Sequence, residues 1–312
     1  MRVTAVIPAF NRAAFIGEAI ESVLAQTRPV DEVVIVDDCS TDDTVAVASR
    51  YPVRVVALPV NMGSSGARNA GIREASGDAI AWLDSDDIWL PFHCERTVTL
   101  LEAFPGAAVA FSGVELFGDR LELLPHHDGV WSPTSLDERQ ELDVFWPSFL
   151  HGPPVPMITA VIRTEALRQI GGFDEELRAG VDADLFLRLA ERHRFVCIHD
   201  ITARYRLHGS QITAQRGHQQ RTAFMTRAKL ARHARTTGEA ATAALYEARL
   251  LECWDRALWV AWMARDVEQV RMLCALAPLM PGTTATGRYF RLRRFAPRWL
   301  LGLWDWLAKG RK

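Results

Sequence analysis

Hydrophobic residues in the first 90 positions follow two alternating patterns. Short continuous apolar runs occur in "RVTAVIPA", "DEVVIVDD", "VRVVAL" and "DAIAWL", which is typical of strands covered on both faces. Between them lie "RAAFIGEAIESVLAQT", "STDDTVAVASRY" and "SSGARNAGIREA", which read as helices, the first with apolar residues three or four positions apart. Alternation of this kind predicts an α/β fold, a mostly parallel sheet flanked by helices.

The pattern becomes less regular after Pro91. We expect a helix over about 92–103, a strand at "AAVAFSGV" and loops over 118–137. A further strand, "MITAVIR", precedes a helix, "TEALRQI", that the pair Gly171–Gly172 would close as a C-cap. The helix "VDADLFLRLAER" and two strands, "FVCIH" and "TARYRLH", complete the α/β part near His208.

The rest of the chain shows helical spacing only. The sequence therefore predicts two domains, an α/β domain over 1–215 and an all-α C-terminal region over 216–312. Its last segment, 288–312, combines basic residues with tryptophans and leucines at helical spacing. Two interpretations stay open here, a terminal helix packed on the core and an amphipathic helix lying on a membrane surface.

Composition excludes several classes of protein. The net charge of −2 over 312 residues argues against a generic nucleic-acid binder, and we expect no nucleic-acid partner. The five cysteines form no CxxC pair, which argues against a disulfide framework or zinc knuckle and favours a reducing compartment. "MRVTAVIPAFNR" is too short and polar for a signal peptide, and no apolar run is long enough to span a membrane. We therefore expect a cytoplasmic protein.

Polar residues follow three of the predicted strands. They are Pro8–Asn11, Asp37–Asp38 and Asp84–Asp87, the last within "AWLDSDDIWLP". Because ligands bind outside the carboxyl ends of parallel strands, these groups should share one edge of the sheet. Clustered carboxylates repel one another unless a cation or hydrogen-bond donors compensate them. Oxygen ligands suit Mg²⁺ or Mn²⁺, which usually also bind substrate phosphates, so the sequence predicts a metal-bound phosphate compound.

The kind of phosphate compound follows from what surrounds the first strand. Neither GxGxxG nor GxxxxGK[ST] is present, so the dinucleotide and P-loop fingerprints are missing. A proline and an aromatic residue, Pro8 and Phe10, stand there instead. The ring of Phe10 could stack on a base and Asp38 could accept a hydrogen bond from a base N–H, which indicates a nucleotide.

Five blocks together resemble a known family. They are "VIPAFNR", "VDEVVIVDDCSTDDT", "NMGSSGARNAGI", "GDAIAWLDSDDIWLP" and "IGGFDEEL…VDADLFLRLA". Over about residues 1–210 they resemble family 2 glycosyltransferases of the GT-A (Rossmann-like) fold. The resemblance implies an inverting enzyme that uses a nucleoside-diphosphate sugar and Mn or Mg. It also implies a saccharide or lipid-linked acceptor, in surface polysaccharide or glycolipid assembly. The basic C-terminal helix would then make a peripheral contact at the inner face of the membrane.

The resemblance also implies a role for particular residues. Nucleotide-sugar binding would fall to Pro8, Phe10, Asp38, Arg68, Asp84 and Ser85. Asp86 and His208 would hold the metal, and Asp182 would be the general base for the acceptor hydroxyl. The chain departs from the family pattern at Val181, where the family has Glu, and at Phe10, where Tyr is more frequent.

Structural alternatives exist for most of these residues. Asp37 and Asp38 could cap a helix starting near Ser40, and Asp182 could be a helix N-cap. His208 could be a satisfied core histidine and Arg68 an ordinary surface residue. The remaining assignments are structural: Trp82 and Trp89 as packing residues, and Asp87 as a cap for the helix after Pro91 or a partner of a metal ligand.

Alternative functions differ from glycosyl transfer in features of the sequence. A non-catalytic nucleotide-sugar-binding module remains open because of Val181. A sugar-phosphate nucleotidyltransferase would need a Gly-rich loop with Arg and Lys after the first strand, and "PAFNRAA" is not such a loop. A processive synthase would carry QxxRW and spanning helices, and neither is present. Transfer of a single sugar is therefore preferred.

Overall fold

The computed structural model describes residues 1–119, 130–131, 155–177 and 180–209, together with the isolated positions 235, 244 and 247. The chain divides into two compact units, Met1–Thr222 and Ala223–Lys312, and every element below belongs to the first. Apart from those three isolated positions, the predicted C-terminal helices lie outside the described residues, and so does the whole basic segment 288–312. Within the described part of the chain, no helix is long and apolar enough to cross a membrane.

The first half of the described chain alternates strands and helices, as predicted. In chain order the elements are β1 (Val3–Ala9), α1 (Ile16–Leu24), β2 (Glu32–Asp37), α2 (Thr44–Ala48), β3 (Arg54–Ala57), α3 (Gly63–Glu74) and β4 (Ala79–Trp82). The four strands pair in parallel in the order β3-β2-β1-β4. This is the arrangement expected when helices cross over between successive strands.

The second half begins with a short strand. Its elements are β5 (Ile88–Trp89), α4 (His93–Ala103), β6 (Ala107–Gly118), β7 (Val130–Trp131), a 3₁₀ turn (Met157–Thr159), β8 (Val161–Arg163), α5 (Thr164–Gln169), α6 (Val181–Ala190) and β9 (Arg194–Leu207). The sheet continues β4-β8-β6-β9-β5, with β7 paired to β6. Only β6 and β9 pair in parallel in this half, so the described sheet as a whole is mixed.

Several elements differ from their predicted form. The predicted strand "MITAVIR" is a 3₁₀ turn followed by the shorter β8, and the two predicted last strands are one continuous strand, β9. Helix α2 begins at Thr44, later than the predicted helix "STDDTVAVASRY", and Ser40 and Thr41 bind the loop after β1. Strand β5 was not predicted, since two residues are too few to carry a pattern.

The strand register places the carboxyl ends of three strands together. Ala9 at the end of β1 is paired with Asp37 at the end of β2, and Val6 is paired with Trp82 at the end of β4. The segments that follow these strands therefore leave the sheet at one edge, as predicted. Trp82 is buried, which confirms its predicted packing role.

The predicted glycine closure of α5 is confirmed. Gly171 and Gly172 have φ angles of 77° and 70°, and the N–H of Gly172 donates to the carbonyl of Leu167 at 2.9 Å. A positive φ is inexpensive for glycine, and the bond satisfies a carbonyl that the helix end would leave free. The turn directs the chain back toward the strand ends, where Phe173 packs edge-on against Trp82 at 5.5 Å.

Candidate active site

The acidic turn between β4 and β5 is closed by its own backbone. The N–H of Asp87 donates to the carbonyl of Asp84 at 3.1 Å, and Oδ1 of Asp87 accepts from the backbone N–H of Arg206 at 2.7 Å. Burial, together with the neighbouring acids Asp86 and Asp84, raises the pKa of Asp87 well above its usual value. Asp87 does not cap α4, whose N-cap is Phe92. Its side chain instead joins the acidic turn to the backbone of Arg206.

Asp86 and His208 are brought together, as the metal assignment requires. Nε2 of His208 lies 3.0 Å from Oδ2 of Asp86, although the two residues are 122 positions apart. The imidazole packs against the ring of Phe15 at 4.7 Å. The same carboxylate oxygen also accepts a hydrogen bond from Nε of Arg12 at 3.0 Å, a contact that sequence reasoning missed.

Arg206, another unpredicted residue, ties the acidic turn to β9. Its Nε donates to the carbonyl oxygen of Asp86 at 2.8 Å, and its Nη2 donates to Glu18 at 2.5 Å. The guanidinium lies over the rings of Phe15 and Phe117, at 5.2 Å and 4.5 Å from their centres. The side chain of Arg206 thus holds the backbone that carries Asp86 against β9, the strand that His208 follows.

Arg68 lies buried between two acids. Its Nη2 donates to Oδ1 of Asp84 at 2.7 Å, and its Nη1 is 3.6 Å from Oδ1 of Asp182. Burial lowers the pKa of Arg68, but Asp84 and Asp182 outweigh burial, so the pKa is raised overall. The surface alternative for Arg68 is therefore wrong; the residue is a buried cation that joins the end of β4 to the start of α6.

Asp84 and Ser85 begin the acidic turn next to this cation. Burial raises the pKa of Asp84, Arg68 opposes that effect, and Asp182 and Asp86 add to it. Ser85 is buried. Asp84 and Ser85 lie between β4 and Asp86, the predicted metal ligand. This position is compatible with the nucleotide-binding role predicted for both residues.

Asp182 stands in the first turn of α6 but is not its cap. The helix begins at Val181, and its N-cap is Gly180, whose φ of 73° only glycine adopts readily. The N-cap alternative for Asp182 is therefore wrong. Its Oδ1 is buried without a hydrogen-bond partner among the described residues, while the side chain as a whole is 37% exposed. The carboxylate thus has one oxygen turned toward Arg68 and a partly open face.

Asp38 joins the end of β2 to the start of α3. Its two carboxylate oxygens accept from the backbone N–H groups of Met62 at 2.6 Å and Gly63 at 2.8 Å. Burial raises the pKa of Asp38, and these two N–H groups act against the increase. Asp38 therefore caps α3 rather than the helix after Ser40, and the base-binding role assigned to it stays a prediction.

The loop after β1 carries Pro8 and Phe10 and is fixed to the loop after β2. The N–H of Asn11 donates to Ser40 Oγ at 2.9 Å, and Oδ1 of Asn11 accepts from the N–H of Thr41 at 2.8 Å. Pro8 is half-buried and the ring of Phe10 is 43% exposed. An exposed aromatic ring on an immobilised loop is what stacking on a base requires, so both assignments remain compatible with the structure.

The donor set around Asp86 suits a hard divalent cation only in part. Among the described residues, no group of three or more His, Cys, Asp or Glu side chains is placed to hold a metal. A carboxylate and an imidazole 3.0 Å apart nevertheless match neighbouring octahedral ligands, which are about 3 Å apart when metal–ligand distances are about 2.1 Å. Asp86 and His208 therefore fit a site whose remaining ligands come from phosphate and water.

Solved structures of similar fold are glycosyltransferases. TarS of S. aureus in complex with UDP-GlcNAc matches with a TM-score of 0.66 and 18% identity, over 90% of this chain and 82% of that one. The mannosyltransferase PcManGT of Pyrobaculum calidifontis, in complex with GDP-Man and Mn²⁺, matches with a TM-score of 0.56 and 22% identity, over 89% and 80%. These similarities confirm the predicted GT-A fold.

Similarity in sequence identifies the family. An uncharacterized glycosyltransferase of Rickettsia prowazekii is 29% identical over 217 residues, which are 68% of this chain and 65% of that protein. The succinoglycan biosynthesis protein ExoO of Rhizobium meliloti is 46% identical over 117 residues, 36% of this chain and 33% of its own. The profile of glycosyl transferase family 2 matches residues 4–164. The chain belongs to glycosyl transferase family 2.

Proposed function

We propose that the protein transfers a single sugar from a nucleoside-diphosphate sugar to an acceptor hydroxyl, with inversion at the anomeric carbon. The observation that carries this proposal is the position of Arg68 between Asp84 and Asp182. One guanidinium separates an acid on the nucleotide side from an acid in the first turn of α6. A donor bound at Asp84 would therefore have its reacting carbon within reach of a base at Asp182.

Donor binding falls to the residues along the strand ends. Phe10 and Pro8 contact the base, with Asp38 beside them, and Asp84 and Ser85 contact the ribose and phosphates. The guanidinium of Arg68 adds positive charge beside the diphosphate. The nucleotide sugars bound by TarS and PcManGT support a donor of this class.

Asp86 and His208 would hold Mn²⁺ or Mg²⁺. The ion supplies positive charge that stabilises the departing diphosphate. The contribution of the chain is to hold the two ligands together, which it does through the 2.8 Å bond from Arg206 to the Asp86 carbonyl. The Mn²⁺ bound by PcManGT supports a divalent ion at such a site.

Asp182 acts as the general base. Its carboxylate accepts the proton of the acceptor hydroxyl while the hydroxyl oxygen forms a bond to C1 of the sugar. The bond between C1 and the diphosphate oxygen breaks on the opposite face, and the nucleoside diphosphate leaves with that electron pair. Val181 is buried where the family pattern has Glu, so Asp182 provides the carboxylate at this pair of positions.

The acceptor is a saccharide or a lipid-linked saccharide. The similarity to ExoO, whose name assigns it to succinoglycan biosynthesis, supports a role in polysaccharide assembly. The proposal includes a peripheral membrane contact through the basic segment 288–312. Such a contact would hold the protein at the membrane that contains a lipid-linked acceptor.

The experiment that tests the proposal separates binding from transfer. UDP-GlcNAc and GDP-mannose are compared for Mn²⁺-dependent thermal stabilisation, and release of UDP or GDP is followed with water or a saccharide mixture as acceptor. Asp182→Asn should keep the stabilisation and lose nucleoside diphosphate release by about 100-fold or more. Asp200→Asn, which changes an acid 43% exposed on β9, is the matched control. Full release in the Asp182 variant would refute the assignment, and stabilisation without release in the wild type would favour the non-catalytic binding module.

A further inference from the structure

Arg12 makes a contact that the proposed donor site does not require. Its Nε donates to Oδ2 of Asp86 at 3.0 Å, the oxygen that Nε2 of His208 also contacts at 3.0 Å. The Arg12 and Asp86 side chains are only 16% and 17% exposed. Their ion pair is therefore largely shielded from solvent and is screened less by salt than a surface pair.

The backbone of Arg12 is anchored separately from its guanidinium. The Arg12 N–H donates to Thr44 Oγ1 at 2.8 Å, which anchors the residue to the start of α2. Besides Asp86, the guanidinium contacts the carbonyls of Asn11 at 3.1 Å and Phe10 at 3.4 Å. Both carbonyls lie in the loop that carries Arg12, and the bond to Thr44 is made by the backbone N–H. The side chain can therefore leave Asp86 without breaking the bond to Thr44.

The other two arginines of the site are engaged differently. Arg68 is buried between Asp84 and Asp182, and Arg206 contacts Glu18 and a backbone carbonyl. Of these three arginines, Arg12 is thus the one that contacts the carboxylate of Asp86, the predicted metal ligand. A divalent ion at Asp86 and the guanidinium of Arg12 would both approach Oδ2, and two cations this close repel each other strongly.

We propose that Arg12 competes with the divalent ion for Asp86 and so makes metal binding depend on a nucleoside diphosphate. The proposal rests on the donor site proposed above. In the free protein, Arg12 neutralises Asp86 and weakens binding of the metal alone. When a diphosphate is bound, its oxygens offer the displaced guanidinium a new anionic partner, so metal and nucleotide bind with positive coupling.

The test measures metal affinity rather than activity. Binding of Mn²⁺ to the full chain is titrated by the EPR signal of free Mn²⁺, with no nucleotide and with saturating UDP or GDP, and the Mn²⁺ that the nucleotide binds in a protein-free titration is subtracted. In the wild type, the nucleotide should tighten Mn²⁺ binding at least tenfold. Arg12→Gln should bind Mn²⁺ alone roughly tenfold more tightly than the wild type, because a nearby like charge is removed, and should show a smaller nucleotide effect.

Three further variants test whether the effect depends on the positive charge of residue 12 and on its position in the site. Arg12→Lys keeps the cation and should retain the weak metal binding of the wild type. Arg28→Gln removes an arginine that pairs with Glu102 at 2.7 Å elsewhere, and it should leave Mn²⁺ affinity unchanged. Arg12→Met is the second neutral variant, used if Arg12→Gln does not fold.

The outcomes separate this inference from the proposed function. If Mn²⁺ affinity without nucleotide is the same within twofold in the wild type and in the neutral Arg12 variants, the inference is overturned and the donor site stands. Asp86→Asn should abolish Mn²⁺ binding both in the otherwise wild-type chain and in the neutral Arg12 variants. If Asp86→Asn instead binds Mn²⁺ as the wild type does, the metal assignment itself fails, whatever the Arg12 variants show.

Discussion

The ion pair between Arg68 and Asp84 is closed to solvent on the arginine side. Their atoms are 2.7 Å apart, and the side chain of Arg68 is 7% exposed against 29% for Asp84. Asp182 lies 3.6 Å from the same guanidinium. One buried cation therefore compensates two acids from distant parts of the chain.

Replacing Arg68 should destabilise the fold. Arg68→Met leaves Asp84 and Asp182 without their shared cation, and we expect a loss of about 3 kcal/mol in the free energy of unfolding measured with urea. Asp84→Asn added to that variant should recover part of the loss, because one uncompensated charge is removed. Arg96→Gln is the control: Arg96 is 57% exposed and 3.6 Å from Asp200, so its change should stay within about 0.5 kcal/mol. A small effect of Arg68→Met would contradict the buried-cation interpretation.

Asp38 should contribute to stability independently of any nucleotide. Asp38→Ala removes the acceptor of two N–H groups at the start of α3, and we expect a loss of about 1–2 kcal/mol by thermal or urea unfolding. Asp38→Asn should lose less, since its amide oxygen still accepts one bond. Asp43→Ala is the matched control, because Asp43 precedes α2 without a side-chain capping bond. Equal effects at the two positions would argue against the cap.

Gly171 and Gly172 provide a matched pair within one turn. Alanine at either position would have to adopt a positive φ, which should destabilise the fold by about 1–2 kcal/mol. At Gly171 an added Cβ meets nothing within 4 Å, whereas at Gly172 it would overlap Oδ1 of Asn69. Asn69 holds the N–H of Phe173 at 2.8 Å. Gly172→Ala should therefore unfold at a lower urea concentration than Gly171→Ala; the reverse order would show that the Asn69 contact does not constrain the turn.

His93 should make stability depend on pH. Burial lowers the pKa of His93 from 6.5 to about 3 in the folded protein, and Nδ1 lies 2.7 Å from Thr202 Oγ1. The unfolded chain therefore takes up this proton first as pH falls, so the contribution is complete above pH 6.5 and is lost toward pH 3. Between pH 6 and 4, the unfolding free energy of the wild type should fall more steeply than that of His93→Gln, by about 1.4 kcal/mol per pH unit. Parallel slopes would indicate that His93 titrates normally.

The first half of the fold was predictable because its pattern is local. Val34, Ile35 and Val36 are fully buried, and a continuous apolar run flanked by helices indicates such a strand without further information. Strand β5 could not be predicted, because Ile88 and Trp89 pair with residues about 115 positions later in the chain. The prediction divides β9 at Asp200 and Ile201, which stand between "FVCIH" and "TARYRLH", whereas the strand runs through both residues.

The sequence points to the acids of the candidate site and to Arg68, but not to Arg12 or Arg206. Asp84 and Asp86 stand out as polar residues at the end of a predicted strand, and their place follows from strand order, whereas Asp182 is assigned through the family resemblance alone. Arg12 and Arg206 carry no comparable signal, since the sequence contains 36 lysines and arginines and most such residues are solvated. Their contacts with the acidic turn depend on loop conformation and on strand pairing, which one sequence does not reveal.

The pairing of β5 with β9 has a consequence for engineering. Ile88, just after the acidic turn, is paired with Arg204, four residues before His208. A slip of one residue would turn the following side chains of β9 to the opposite face and separate His208 from Asp86. The paired residues of β5 and β9 all lie outside the chain between β6 and the Met157–Thr159 turn. Chimeras with a new segment there should therefore keep the metal-side pair in register.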